Sequence, residues 1–289
     1  MVNPETARAI AEHEAGGRRF EAGGVASFAR DEGDGEAVVL IHGVPASSFM
    51  YRKLVPLIAA RGLRAVAFDF PGLGLAERPE EFDYRWSGLA GWMDAALAAL
   101  GIERCHLVVH DIGGPIGFEW AIRHADRVLS LTALNTMANV DGFRRPWSMH
   151  PFSVRGLGEV WLRSLNRWAF SEIFYMQGVG DRAAVPRVEV FAYYELIKRG
   201  DGGRAFLRIM RGFELTPEKE EFFRVGLAAR SYPAEVVWGA NDPALGREHM
   251  RGVAEMLSVT PAELPAKHFL AEDRAPEIAD AVARLAARG

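Results

Sequence analysis

An apolar run, Val108-Val109, leads through His110 into Asp111 and then into Ile112-Gly113-Gly114. It reads as a buried strand that turns directly into a helix. Such a turn holds its middle residue in a strained conformation with the side chain exposed above the sheet. The familiar signature is G-x-S-x-G. Here Asp111 occupies the nucleophile slot, Gly113 stands two residues on, and Val109 replaces the first glycine. An aspartate at a helix start is also a common cap, so a cap and a nucleophile are the two readings of Asp111. A serine must lose a proton before it attacks, whereas a carboxylate is already ionised at neutral pH. It suits displacement at a tetrahedral carbon, such as that of an alkyl halide or a strained epoxide. The thiol of Cys105 lies at the other end of the same strand and reads as core.

Three more segments favour the nucleophile. His42-Gly43-Val44-Pro45 ends an earlier strand, and its backbone can present the Val44 N–H beside that of Ile112. Two such donors make an oxyanion hole. Trp238-Gly239-Ala240-Asn241-Asp242-Pro243 ends a later strand and brings a carboxylate to the same edge. Pro265-Ala266-Lys267-His268-Phe269-Leu270 brings a histidine in a late loop. The chain order is nucleophile, acid, histidine.

Positioning these residues requires a sheet whose strands end together. Ala37–Ile41, Arg64–Phe70, Cys105–His110, Val128–Leu134 and Ala234–Trp238 are apolar runs of the kind buried on both faces of a parallel sheet. Helical patterns separate them over Ser47–Arg61, Trp86–Leu100, Gly114–His124 and Arg247–Leu257, and one more, Pro276–Ala287, follows. The alternation predicts βαβ units with helices on both faces. A short polar helix and a hairpin around Gly23-Gly24 open the chain. Between Met137 and Phe213 the rhythm breaks into helical patterns rich in aromatics, with no strand. An insertion above the carboxyl edge of a sheet is a natural lid. The expected organisation is a core over 1–136, a helical cap over 137–213 and the rest of the core over 214–289.

The 289 residues carry 34 Lys plus Arg against 38 Asp plus Glu, a formal charge of −4. That gives no basic excess for nucleic acid or an anionic membrane. The single cysteine excludes an intrachain disulfide and fits a reducing compartment. The longest apolar candidate, Gly88–Ile102, is too short to span a bilayer and carries Asp94. The opening residues lack the long apolar stretch of a secretory signal. A cytoplasmic protein without metal or organic cofactor is expected, with a small apolar substrate and water as its partners.

HGVPASSFMYRKLVPLIAARGLRAVAFDFPGLG, LVVHDIGG and KHFLAED resemble the α/β-hydrolases that use an aspartate nucleophile, the group of haloalkane dehalogenases and epoxide hydrolases. The likeness spans about 37–135 and 233–289 and is strongest to the dehalogenase branch. It implies an α/β-hydrolase fold: a mostly parallel sheet covered by helices, with an inserted cap. It implies that Asp111 is the nucleophile, His268 the base and Asp242 its carboxylate partner. Some relatives place the acid after the preceding strand, but Asn135 stands there and cannot be an anion. The chemistry would be an alkyl ester on Asp111, hydrolysed by water that His268 activates, with Val44 and Ile112 N–H groups holding the oxyanion.

Both subfamily signatures are incomplete. Dehalogenases usually carry Trp directly after the nucleophile, where this chain has Ile112. A second halide donor, an Asn beside the HG motif, is replaced by Val44, and Trp161 is the candidate for the alternative donor in the cap. Epoxide hydrolases use HGxP, which HGVP satisfies, and two cap tyrosines. Tyr175, Tyr193 and Tyr194 are candidates, but the later family tyrosine, expected near Ile209-Met210-Arg211, is absent. The readings are therefore a haloalkane dehalogenase-like hydrolase, an epoxide hydrolase giving a diol, and a non-hydrolytic binding protein on the same fold. The cap aromatics together imply an apolar pocket that excludes water. His110 and Asp69 read as structural, and His150 reads as either pocket or surface.

Overall fold

The computed structural model describes residues 2–288. Eight strands form one sheet: β1 (Arg18–Ala22), β2 (Val25–Glu32), β3 (Ala37–Ile41), β4 (Arg64–Phe68), β5 (Cys105–Asp111), β6 (Val128–Thr136), β7 (Ala234–Gly239) and β8 (Ala262–Leu264). Their spatial order is β1-β2-β4-β3-β5-β6-β7-β8. The expected hairpin is present. Gly23 and Gly24 both take positive φ, at 55° and 74°, the combination that a tight two-residue turn requires. Its two strands join the sheet antiparallel, and β3 to β8 all run parallel.

Every residue of β5 is buried. Side chains alternate between the faces of a strand, so both faces of the sheet are covered here. Helices Leu54–Ala59 and Ala275–Ala286 pack on one another, as do Trp86–Ala99 and Gly113–Arg123. These are the helices that the apolar periodicity predicts, with ends shifted by a residue or two, except that Ser48–Tyr51 forms a separate short 3-10 turn.

β3 is followed in space by β4 on one side and β5 on the other, so the strand order reverses between β3 and β5. Ligands bind in open α/β sheets outside such a switch point, at the carboxyl ends of the strands. Ile41 pairs with Val109, which brings the end of β3 level with the end of β5.

Between β6 and β7 the described residues hold only helical elements, from His150–Ser153 to Pro217–Ala228. Several apolar side chains in this stretch remain exposed, including Trp147 and Trp168. β8 is a three-residue strand that the sequence pattern did not reveal. No helix among the described residues is long and apolar enough to cross a membrane.

Candidate active site

The site begins with strain. Asp111 ends β5 with φ at +55°, one of two non-glycine residues with positive φ among the described residues. An L residue holds that conformation only where its surroundings over-determine it. Here the Thr136 hydroxyl, at the end of β6, donates to the Asp111 carbonyl at 2.6 Å. On the other side Gly43 leaves room for the carboxylate, because a Cβ at 43 would overlap it. The Val44 N–H then donates to Asp111 Oδ1 at 2.7 Å. Ile112 follows at the start of the helix Gly113–Arg123, with helical φ and ψ of −65° and −15°.

Asp242 and His268 arrive from the loops after β7 and β8. His268 Nδ1–H donates to Asp242 Oδ2 at 2.8 Å. Its Nε2 stands 3.5 Å from Asp111 Oδ2, a charge contact longer than an ideal hydrogen bond. Asp242 Oδ1 accepts the N–H groups of Ala244 and Leu245, at 2.7 and 3.1 Å. Burial opposes ionisation of Asp242, but His268 and these donors outweigh it and hold its pKa below the ordinary carboxylate value. Burial likewise disfavours the His268 cation, yet the Asp242 and Asp111 carboxylates raise its pKa to about 10. With both carboxylates charged, His268 is an imidazolium at neutral pH.

Two positioning residues join this set. Asn135, at β6, donates from Nδ2 to Asp242 Oδ2 at 2.6 Å, and its Oδ1 accepts the Gly239 N–H at 2.7 Å. The sequence showed that Asn135 cannot be the anion. It carried no sign that this amide orients the anion from the neighbouring strand. His110 Nε2–H donates to the His268 carbonyl at 2.8 Å. Burial, and then the charge of His268, lower the His110 pKa to about 4, so it is a neutral donor. The carboxylate of Asp69 accepts the Ser48 and Leu75 N–H groups, both at 2.6 Å. Cys105 is buried, and burial pushes its thiol pKa up to about 12. Among the described residues no group of His, Cys, Asp or Glu is placed to hold a metal ion.

Asp111 and His268 form part of the wall of an apolar cavity, which continues through Trp161, Phe170, Tyr194 and Phe206. Val44 also borders it. Trp161 lies in the helix Leu157–Ser164, and its buried indole N–H has no hydrogen-bond partner among the described residues. Tyr194 is in the wall, but its hydroxyl donates to the Leu165 carbonyl at 3.0 Å. Tyr175 and Tyr193 lie outside the wall. The Tyr175 hydroxyl donates to the Val185 carbonyl at 2.7 Å, and the Tyr193 hydroxyl donates to the buried Glu272 carboxylate. Folding thus commits these two phenols elsewhere. His150 is exposed.

The profile of the alpha/beta hydrolase fold family matches residues 36–269. The chain belongs to the alpha/beta hydrolase fold family. The chain is 31% identical to a cis-3-alkyl-4-alkyloxetan-2-one decarboxylase of Xanthomonas campestris over 273 residues, covering 87% of this chain and 89% of that one. A haloalkane dehalogenase 2 of Mycobacterium tuberculosis is 32% identical over 273 residues, covering 87% of this chain and 88% of its own. Among solved structures, a haloalkane dehalogenase from Bradyrhizobium elkani superposes with a TM-score of 0.75 at 22% identity, covering 94% of this chain and 99% of that one. The fold that the motifs implied is therefore established. So is the expectation of an enzyme of the hydrolase class, related to the dehalogenases.

Proposed function

We propose that this alpha/beta hydrolase cleaves a carbon–halogen bond in a small, largely apolar substrate through an ester on Asp111. The supporting observation is the unpartnered Trp161 indole N–H, buried in the same cavity wall as the Asp111 carboxylate. A buried donor without an acceptor costs free energy, and a departing halide supplies the acceptor. The helical stretch over 137–213 is taken as the cap that closes this cavity on the core, 1–136 and 214–289.

Oδ1 of Asp111 is held by the Val44 N–H, which leaves Oδ2 as the attacking oxygen. Oδ2 forms a bond to the substrate carbon as the carbon–halogen bond breaks, and the halide leaves with the electron pair toward the Trp161 N–H. The ester has no charge, so His268 loses one of the two carboxylates that raise its pKa, and it can release its Nε2 proton to solvent and become the neutral base. Its Nε2 takes a proton from water while the oxygen adds to the Asp111 carboxyl carbon. The Val44 and Ile112 N–H groups stabilise the resulting oxyanion. Collapse passes the proton from His268 to the leaving alkoxide, giving an alcohol, and the Asp111 carboxyl then ionises and releases to solvent the proton that balances the halide. Side chains, backbone N–H groups and water complete every step.

An epoxide needs a free acid beside the alkoxide, and the phenols of Tyr175, Tyr193 and Tyr194 already spend their protons on other acceptors. A non-hydrolytic binder would have no use for a charged Asp242–His268 pair aimed at Asp111. The test is a panel of haloalkanes and terminal epoxides, scored for halide release and diol formation. Halide release with burst-free diol silence is expected. Diol formation without halide release would replace this reading with the epoxide one, and silence on both with the binding one.

A further inference from the structure

Two cations stand in the wall of the Asp111 cavity, and among the described residues neither meets a carboxylate. Arg145 and Lys198 both border the cavity, whose other charged groups are Asp111 and His268. The Arg145 guanidinium lies 4.4 Å from the centre of the Phe213 ring and donates to the Met210 carbonyl at 3.0 Å. Phe213 and Met210 are themselves wall residues, as is Arg145. The Arg145 Nε is buried with no partner. The Lys198 ammonium donates to the Tyr194 hydroxyl at 2.8 Å and the Leu165 carbonyl at 3.2 Å, both again from wall residues. An ammonium has three donors, so one remains.

Several partly buried cations among the described residues are paired. Arg52 meets Glu272 and Glu189, and Lys219 meets Glu119 and Glu214. A cation withdrawn from water without a counter-ion costs free energy, and burial alone lowers the Arg145 pKa. An anion entering the cavity would offset that cost and fill the spare donors with charge-assisted hydrogen bonds.

We propose that Arg145 and Lys198 form an anion subsite in this cavity, and that the ligand it selects is an apolar chain bearing a carboxylate. This deepens the proposed function by naming its substrate class, a halogenated carboxylic acid, and rests on that reading for the halogen alone. The carboxylate is held by the two cations while the apolar chain lies along the aromatic wall toward Asp111.

The test uses hexanoate and hexanol with the full chain in titration calorimetry, and bromohexane with its ω-carboxylate in halide release. Hexanoate should bind at least about tenfold more tightly than hexanol, the factor expected of one charge-assisted hydrogen bond. Arg145→Met and Lys198→Met should each reduce that preference, read as the ratio of hexanoate to hexanol affinity. Lys198→Gln and Arg145→Gln serve where the methionine variants fail to fold. Equal binding of hexanoate and hexanol by the native protein overturns the subsite, as does a preference that survives both substitutions. Bromide release from bromohexane reports on the dehalogenase reading separately. A hexanoate preference with no bromide release from either compound supports the subsite and sinks that reading alone.

Discussion

Asn135 and Asp242 meet across the ends of β6 and β7 through a 2.6 Å hydrogen bond from amide to carboxylate. The same Asp242 oxygen accepts His268 Nδ1–H at 2.8 Å, so Asn135 fixes the angle from which the carboxylate holds the imidazole. Asn135→Ala should leave substrate affinity near native and lower kcat by about a hundredfold, the cost of a displaced catalytic group. Steady-state kinetics on any turned-over substrate checks this. An unchanged kcat would show that the backbone donors alone hold Asp242.

In the proposed mechanism His268 acts on the ester and not on its formation. His268→Gln should therefore form the ester and stop there. Intact-protein mass should rise by the alkyl group after incubation with substrate, with one halide released per chain. Sustained turnover by this variant would remove His268 from the role of base.

The charge of His268 also links stability to pH. Its folded pKa of about 10 lies above the ordinary value of 6.5, so its pairing contributes fully below the ordinary value and fades as pH rises through about 10. The melting-temperature gap between the native protein and His268→Gln should be widest in mildly acid to neutral solution and close in strong base. A gap that widens with rising pH would mean that His268 is neutral in the free protein.

Trp161→Phe removes the proposed halide donor but keeps the ring. Loss of one preorganised donor should lower halide-releasing kcat by about 10²–10³-fold. Tyr175→Phe should leave the chemical step alone, because its hydroxyl is bound to the Val185 carbonyl outside the cavity wall. The reverse ranking in a single-turnover assay would make Tyr175 the acid and Trp161 a packing residue.

Glu272 joins the helical insertion to the core. It is fully buried, receives Arg52 and the Tyr193 hydroxyl, and lies 3.0 Å from the Lys53 ammonium. Glu272→Gln leaves Arg52 with Glu189 alone and should cost about 3 kcal/mol by chemical denaturation. Burial opposes the Glu272 charge, but Arg52 and Lys53 outweigh it and lower its pKa below 4.5. Its contribution is therefore present above that value and lost as pH falls through the lower folded one. The gap between native protein and variant should hold at neutral pH and shrink only in strong acid.

The sequence by itself determined seven of the eight strands and offered Asp111, Asp242 and the His42–Pro45 turn as candidates at their carboxyl ends. Each of the three lies within a few residues of the end of an apolar run. His268 was legible through its place in chain order. β8 was not, since three half-exposed residues, Ala262–Leu264, have no period to detect. The role of Asn135 was hidden as well, because a residue read for charge alone gives no sign of a hydrogen bond made 107 positions away. Only the tertiary structure decided which aromatics of the helical stretch between β6 and β7 keep a free donor. The phenols of Tyr175, Tyr193 and Tyr194 find acceptors in Val185, Glu272 and Leu165, whereas the Trp161 indole N–H finds none. Residue type sets what a side chain can donate, but the fold of the helical insertion sets which acceptor reaches it, and that is a property of packing between distant segments.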